Sequence, residues 1–172
     1  CVNNGEQADL AAVRMKWASA PNPLAIDSKR NVYWNNLSDG RALKYDRTSG
    51  TISYYLGGGS APFAAVTGTH RRNLQAGAIY NIQFGGGDRV YFLAYNNPCP
   101  IGGSGPCYSV YRVEDDETVT LLAGSLSYSG TVPLADGAAA TSLLIGNAMS
   151  FSVIPGTGAI ADRVFVAGAN TQ

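Results

Sequence analysis

The sequence of 172 residues predicts an all-β fold made of repeated, four-stranded antiparallel sheets. A two-strand phrase, with a short turn between two apolar segments, occurs three times, at residues 23–36, 79–94 and 149–168. The composition agrees, because 21 glycines and 10 tyrosines accompany a charged fraction of only 14%, which is typical of turn-rich β-proteins. A recurring strand pair indicates a repeat architecture, in which each unit packs against its neighbours.

Residues 1–22 precede the repeats and predict either a linker or a short helix. Leu10, Val13 and Trp17 have the spacing of one helix face, and the prolines that follow would end a helix there. An irregular segment lying on the first strand is the alternative. The sequence leaves both open.

The first repeat contains four predicted strands. Apolar and polar residues alternate from Ala42 to Asp46, and Asp39-Gly40 and Ser49-Gly50 mark the later turns. Four short antiparallel strands in chain order form one blade of a β-propeller. We predict the four strands near 23–28, 31–36, 42–46 and 51–57.

The second repeat has the same order of strands and turns, and the third repeat contains only two strands before residue 172. Long connectors separate the repeats, at 57–77 and 125–147. The prediction is therefore ten strands, or about two and a half blades, which this chain alone cannot close into a ring. The second set of strands is predicted near 78–85, 89–96, 107–114 and 118–124. The three blades are predicted near 23–57, 78–124 and 148–172.

Three segments also carry a resemblance to a known family. Pro23–Ser28 is a strand of the Pro-apolar-Asp type, Asn31–Trp34 follows with an Asn-apolar-Tyr pattern, and Leu43–Asp46 has an apolar-Lys-apolar-Asp pattern. This succession resembles the NHL-repeat blade of bacterial secreted proteins, and the linker at 136–144 is similar to one that is common in bacterial members. The resemblance covers most of residues 23–172, and it implies an incomplete β-propeller.

An open propeller implies missing material. A closed six-bladed ring needs roughly 24 strands, and exposed blade edges are prone to aggregation. We therefore expect either a piece of a longer protein, which we favour, or a subunit whose ring other protein chains complete. A homo-oligomer is one form of the second arrangement.

Charge and hydropathy exclude two kinds of partner. Lys plus Arg and Asp plus Glu number 12 each, so the net charge is zero and no overall field attracts nucleic acid. No apolar run approaches the roughly 20 residues of a membrane-spanning helix. The sequence therefore predicts neither a nucleic-acid partner nor a membrane span.

The cysteines indicate an oxidising compartment. Cys99 and Cys107 bracket a tip rich in glycine and proline, where a disulfide would close a short loop. We predict that disulfide, with two reduced thiols in a cytosolic protein as the alternative. Cys1 then has no predicted partner among the other cysteines. It forms a disulfide with a segment outside this sequence, is a lipid-modified N-terminal cysteine, or only marks the point where the given sequence was cut, and the sequence leaves these alternatives open. The predicted location is extracellular, periplasmic or at the cell surface.

We predict a non-enzymatic module that binds or assembles with other proteins through its blades and long loops. The alternative is a segment of a propeller enzyme, of the lactonase or lyase type, whose metal ligands lie partly outside this chain. The lyase branch of the NHL-repeat family needs several histidines as metal ligands, and His70 is the only histidine in this sequence. A lactonase-like calcium site at Asp27, Asn35 and Asn36 is less favoured than ordinary turn roles. We predict no catalytic residue, metal or cofactor.

The candidate binding residues lie in loops and at strand ends. His70-Arg71-Arg72 is a basic patch with neutral flanks, which we interpret as a solvated loop. Aromatic residues of the strands, such as Tyr33 and Tyr111, are interpreted as packing between blades rather than as a ligand platform. The candidate contact residues are Asn35, Asn36, His70, Arg71, Arg72, Asn96 and Asn97.

Overall fold

The computed structural model is almost entirely β, and the all-β prediction is confirmed. Ten strands and two 3₁₀ turns occur in the described residues, and none of these residues forms an α-helix. The strands form three antiparallel sheets that do not close into a ring. The structure describes residues 24–36, 40–61, 67–75, 77–96, 107–124, 139–142, 145, 147–157 and 160–169.

Sheet 1 is a four-stranded meander in the order β1-β2-β3-β4. Each strand is antiparallel to the next, as the short turns between them require. The predicted number of strands is confirmed, although β1 is only two residues long because Asp27 already belongs to the turn. The strands are β1 Ala25–Ile26, β2 Val32–Asn36, β3 Arg41–Asp46 and β4 Thr51–Leu56.

Sheet 2 repeats this order as β5-β6-β7-β8. A 3₁₀ turn at Gly86–Asp88 joins its first two strands. Gly87 adopts a φ of 68°, which glycine tolerates best. The strands are β5 Ala78–Phe84, β6 Val90–Asn96, β7 Cys107–Val113 and β8 Val119–Ala123.

Sheet 3 is a hairpin of β9 (Asn147–Ile154) and β10 (Arg163–Ala169). Its ladder is regular from Arg163 to Ala167 and shifts register before Gly168. The predicted succession of four, four and two strands is therefore present. The segment 1–22 and most of the connector 125–147 lie outside the described residues.

The three sheets are stacked, and β6 lies in the middle of the stack. Alternate residues of a strand point to opposite faces, and both faces of β6 are buried. Val90, Phe92 and Ala94 belong to the core shared with sheet 1. Tyr91 and Leu93 belong to a second core shared with the β9–β10 hairpin. Each core is thus an interface between neighbouring sheets.

Aromatic side chains fill these interfaces, which is the packing role predicted for them. The ring of Tyr33 meets Tyr55 edge-on at 4.9 Å and Phe84 at 5.0 Å between centroids. Phe92 and Tyr111 are stacked at 5.1 Å. Such arrangements favour aromatic pairs by about 1 kcal/mol beyond the area they bury. Because Tyr33 and Phe84 come from different sheets, this pair also helps to hold the sheets together.

Candidate functional site

The turns that open the three sheets lie side by side, and an aspartate connects each neighbouring pair. Between sheets 1 and 2, Asp88 accepts hydrogen bonds from Ser28, at 2.9 Å from its backbone N–H and 2.5 Å from its hydroxyl. These two hydrogen bonds lower the pKa of Asp88 below its usual range. The contact lies at the surface, so its contribution to stability is small.

The corresponding contact between sheets 2 and 3 is buried. The side chain of Asp162, only 4% exposed, follows the β9–β10 turn and reaches the β5–β6 turn. Its Oδ1 accepts the backbone N–H groups of Gly86 at 3.0 Å and Gly156 at 2.7 Å. Its Oδ2 accepts the Tyr91 hydroxyl at 2.6 Å. The Arg89 guanidinium lies 3.8 Å from the same oxygen.

The charged form of Asp162 is favoured despite its burial. Burial alone raises the pKa of a carboxyl group, but the hydrogen bonds from Tyr91, Gly156 and Gly86 outweigh it, so the pKa of Asp162 lies below its usual value. Gly85 permits this approach, because a Cβ at that position would collide with the Asp162 carboxylate and the Tyr91 ring. The carboxylate therefore connects the hairpin to sheet 2.

Asp27 has the turn role that was predicted for it. Its carboxylate accepts the backbone N–H and the side-chain amide of Asn31, both at 2.8 Å, and the Tyr33 hydroxyl at 3.0 Å. Burial and this hydrogen bond raise the pKa of Tyr33, which keeps the hydroxyl protonated as a donor. Asn31 in turn accepts the N–H of Arg47 at 2.9 Å, which joins this turn to the β3–β4 turn.

Asn35 connects sheets rather than facing a loop. Its side chain is buried, and its amide donates to the backbone carbonyl of Ile79 in β5. The side chain of the candidate Asn36 lies outside the described residues. Among the residues that the structure describes, no three His, Cys, Asp or Glu side chains are grouped to hold a metal. The structure therefore gives Asp27 and Asn35 hydrogen-bonding roles within and between the sheets.

The connector before sheet 2 is bonded to both sheets. Gly57 donates to the carbonyl of Arg71 at 2.9 Å, and Arg71 donates to the carbonyl of Glu117 at 2.8 Å. Further along, Gly68 donates to the carbonyl of Val119 at 2.9 Å. The segment from 67 to 75 thus lies between the end of sheet 1 and the start of β8.

Arg71 corrects the interpretation of the basic patch as a solvated loop. Its side chain is buried, and its guanidinium donates to Glu117 at 2.5 Å and to the backbone carbonyl of Tyr55. The guanidinium carbon also lies 4.2 Å from the centre of the Tyr55 ring. Because Tyr55 is in sheet 1 and Glu117 precedes β8, Arg71 connects the two sheets. The neutral residues on either side of Arg71 did not indicate this role, since Tyr55 and Glu117 are distant from Arg71 in sequence.

The other two residues of the patch differ from Arg71. His70 Nε2 lies 2.9 Å from Glu117 and its Nδ1 accepts the N–H of Arg72 at 3.2 Å. A neutral His70 therefore carries its proton on Nε2 and donates it to the carboxylate. Hydrogen bonds from Arg71 and His70 lower the pKa of Glu117. The side chain of Arg72 is exposed, and it stays a candidate contact residue.

The tip beyond β6 is largely outside the described residues. This holds for Asn97, Cys99 and the side chain of Asn96, so their predicted binding role stays a prediction. Cys107 is buried at the start of β7 and takes part in a disulfide. The other cysteine of that bond is outside the described part, so the pairing of Cys99 with Cys107 also stays a prediction.

Exposed apolar side chains lie at both ends of the stack. On the outer face of the β9–β10 hairpin, Ile154 is 47% and Phe165 is 54% exposed. On sheet 1, at the opposite end, Leu24 and Ile26 are about equally accessible, at 59% and 60%. Sequence reasoning placed the candidate contacts in loops and missed these faces. Alternation along β10 gives it one face toward sheet 2 and one away, but its Val-Phe-Val segment is apolar on both faces.

The comparisons with known proteins add no relative. No protein-family model matches the chain, and neither the curated proteins nor the solved structures include a significant match. The resemblance to NHL-repeat blades therefore stays a prediction. In the described part of the chain, no helix is long and apolar enough to cross a membrane.

Proposed function

We propose that this chain is a non-enzymatic assembly module, active outside the cytoplasm, that binds other protein chains through its two-stranded third sheet. The observation that carries the proposal is the position of β10. Its equivalents in the other two sheets, β2 and β6, each have a strand on both sides. Among the described residues, β10 has β9 alone as a neighbour. Strands of a partner chain, or further blades outside this sequence, would pair with this edge.

The outer face of the same hairpin supports a protein partner. Ile154 and Phe165 project from it with about half of their surface exposed. The inner face of this hairpin, with Phe151 and Val153, is buried against sheet 2. A second apolar layer on the outer side would cover Phe165 in the same way. Exposed apolar surface of this kind marks a protein interface more often than a site for a polar ligand.

The disulfide at Cys107 supports a location outside the cytoplasm. Structural disulfides persist in secreted and periplasmic proteins and are rare where thiols are kept reduced. A buried cysteine in a bond is a structural element rather than a redox sensor, because solvent does not reach it. The proposal therefore places the chain in the periplasm, at the cell surface or in the medium.

A strand donor in trans tests this proposal. A fluorescent peptide covering residues 41–56 contains β3 and β4, the strands that follow β2 in sheet 1. We expect saturable binding of this peptide and slower amide exchange in β10. The control is the same peptide with Leu43→Pro, which removes a ladder donor. Equal binding of both peptides, or binding that leaves β10 exchange unchanged, would contradict the proposal.

A further inference from the structure

Acidic side chains are concentrated at one end of the stack of sheets. In each sheet, the turns after the first and the third strand lie at the same end, because successive strands are antiparallel. We call this end the turn end and the opposite one the far end. Every described Asp and Glu residue lies in one of these turns, apart from Asp46, which directly precedes one. The turns are 27–31, 47–50, 85–89, 114–118 and 155–162.

Positive charge follows the same distribution. Most described Lys and Arg residues lie in the turns or bond to the carboxylates there, as Lys44 does to Asp46 at 3.0 Å. Among the described Lys and Arg residues, Arg41 alone lies at the far end. Its guanidinium carbon lies 4.7 Å from the centre of the Tyr54 ring in sheet 1. The described residues at the far end of sheet 2 therefore carry no charge.

Three tyrosines meet at this uncharged end of sheet 2. Tyr80 is near the start of β5, Tyr95 near the end of β6 and Tyr108 near the start of β7. Tyr95 and Tyr108 lie opposite each other in the ladder, and the register shift of β5 falls at Tyr80. The ring centroids are 5.0, 5.7 and 5.9 Å apart, and all three pairs are inclined or edge-on. The three side chains form one cluster, which we call the tyrosine cluster.

The hydroxyls of the tyrosine cluster differ from those of the tyrosines buried between the sheets. Tyr33 donates to Asp27 at 3.0 Å, and Tyr91 donates to Asp162 at 2.6 Å. By contrast, no described residue forms a hydrogen bond with a hydroxyl of the cluster. All three side chains of the cluster are partly exposed. Their hydroxyls are therefore available to a partner from outside the chain.

These hydroxyls also lie close to one another. Burial raises the pKa of Tyr108, and the neighbouring hydroxyls of Tyr80 and Tyr95 raise it further, which requires the three groups to be near one another. Tyr80 and Tyr108 pack against the core shared with the β9–β10 hairpin, whereas Tyr95 does not belong to that core. The ring of Tyr95 is thus the one least engaged within the protein.

We propose that the tyrosine cluster binds a neutral oligosaccharide, with a sugar ring stacked on Tyr95 and sugar hydroxyls bonded to the three tyrosine hydroxyls. A sugar ring has C–H groups on its faces and hydroxyls at its rim, so it suits an aromatic ring with polar groups beside it. Phosphate and carboxylate ligands are bound by Arg and Lys side chains, which the described far end of sheet 2 lacks. This site goes beyond the proposed assembly surface on sheet 3.

Calorimetry with the whole chain tests the ligand class. The neutral probes are cellohexaose, maltohexaose, mannohexaose and N-acetylchitohexaose, and the charged probe is the hexamer of galacturonate. Decaproline is the peptide probe, because proline-rich segments also dock on aromatic side chains. We expect saturable binding of at least one neutral hexamer and none of the galacturonate hexamer. Binding of no neutral hexamer, equal binding of galacturonate, or binding of decaproline alone would overturn the proposal.

Variants of Tyr95 test the position of the site. Tyr95→Ala removes the stacking ring and should weaken binding of the neutral hexamer on the order of tenfold. Tyr95→Phe keeps the ring and loses one hydroxyl, so it should weaken binding about threefold. The control is Tyr45→Ala, a partly exposed tyrosine of β3 near the turn end, which should leave the affinity unchanged. Circular dichroism checks that each variant keeps its fold.

The outcomes also separate this proposal from the assembly role. Equal affinity of Tyr95→Ala and Tyr45→Ala for the sugar would overturn the tyrosine cluster as the site. Binding of the 41–56 peptide should be the same in Tyr95→Ala and in the unmodified chain, because Tyr95 lies outside the core of the hairpin. A chain that binds this peptide but no neutral hexamer would overturn the sugar site alone.

Discussion

Replacing Asp162 by alanine should detach the β9–β10 hairpin from sheet 2. The carboxylate accepts three hydrogen bonds, from Gly86, Gly156 and the Tyr91 hydroxyl. Hydrogen bonds to a charged group contribute about 1.5–3 kcal/mol each. Part of their loss in the alanine variant is offset, because that variant buries no carboxylate and so avoids the free-energy cost of desolvating one. We expect Asp162→Ala to lower the free energy of unfolding by about 3 kcal/mol.

Two controls separate the effect of losing the hydrogen bonds of the carboxylate from the effect of removing the volume of its side chain. Asp162→Asn keeps the size and one oxygen acceptor, and it should lower stability by about half as much as alanine. Tyr91→Phe removes one donor and should lower it by about 1–1.5 kcal/mol. In a double-mutant cycle of Asp162→Ala with Tyr91→Phe, the two losses should not add, since both remove the same hydrogen bond.

Urea unfolding measures the loss of stability of the whole chain, and amide exchange measures the loss of protection in the β9–β10 hairpin. Exchange in β9 and β10 should accelerate on the order of 100-fold in Asp162→Ala, because about 1.4 kcal/mol corresponds to a factor of ten. Exchange in β6, which is buried on both faces, should change less. Stability within about 0.5 kcal/mol of the unmodified chain, or simple additivity in the cycle, would refute the reasoning.

The pH dependence of the same variant gives an independent reading. The pKa of Asp162 is lowered in the folded protein, so its contribution is fully present above the unfolded value of about 4. It is lost as the pH falls through the lower folded value. The stability difference between Asp162→Ala and the unmodified chain should therefore be constant near neutral pH and narrow below about pH 4.

Three further changes test other contacts. Arg71→Met should lower the free energy of unfolding, measured in urea, by about 2–3 kcal/mol, because Glu117 and the Tyr55 carbonyl lose their charged donor. Arg71→Lys should restore part of this loss. An unchanged free energy of unfolding in the methionine variant would contradict the role of Arg71 in connecting the sheets. Gly85→Ala should destabilise the protein by about 1–3 kcal/mol, because its Cβ would collide with the Asp162 carboxylate and the Tyr91 ring. A Cβ at Gly87 meets no atom, so Gly87→Ala should cost only about 1 kcal/mol through its positive φ. Thermal unfolding compares the two variants, and equal losses of stability would argue against the collision. Peptide mapping without reductant should find Cys99 joined to Cys107, and a different pairing would show that prediction to be wrong.

The strands could be predicted because their signals are local. Alternation along Thr51–Leu56 and the dipeptide Ser49-Gly50 concern neighbouring residues, and they place β4 and its turn without any knowledge of the fold. The same holds for the existence of β10, but its Val-Phe-Val segment is apolar on both faces, so the sequence did not indicate that Phe165 is exposed. The number of strands in each sheet follows from these local signals.

The contacts between sheets were harder to predict. Arg71 and Glu117 are 46 residues apart, and nothing near either residue indicates the other. A signal for the aspartates did exist, since Asp88 and Asp162 each precede an Arg-Val-aromatic sequence that the second and third repeats share. The first repeat has Arg30 at that position, which hid the pattern. Their burial and partners still depend on how the sheets stack.

The aspartate contacts also imply an order of folding. Each sheet consists of strands joined by short turns, so its own hairpins close small loops and can form early. Asp88 reaches Ser28 across 60 residues, and Asp162 reaches Gly86 across 76. Closing such loops loses more chain entropy. We expect the sheets to form first and to dock later, with the carboxylates fixing the relative position of units that are already folded.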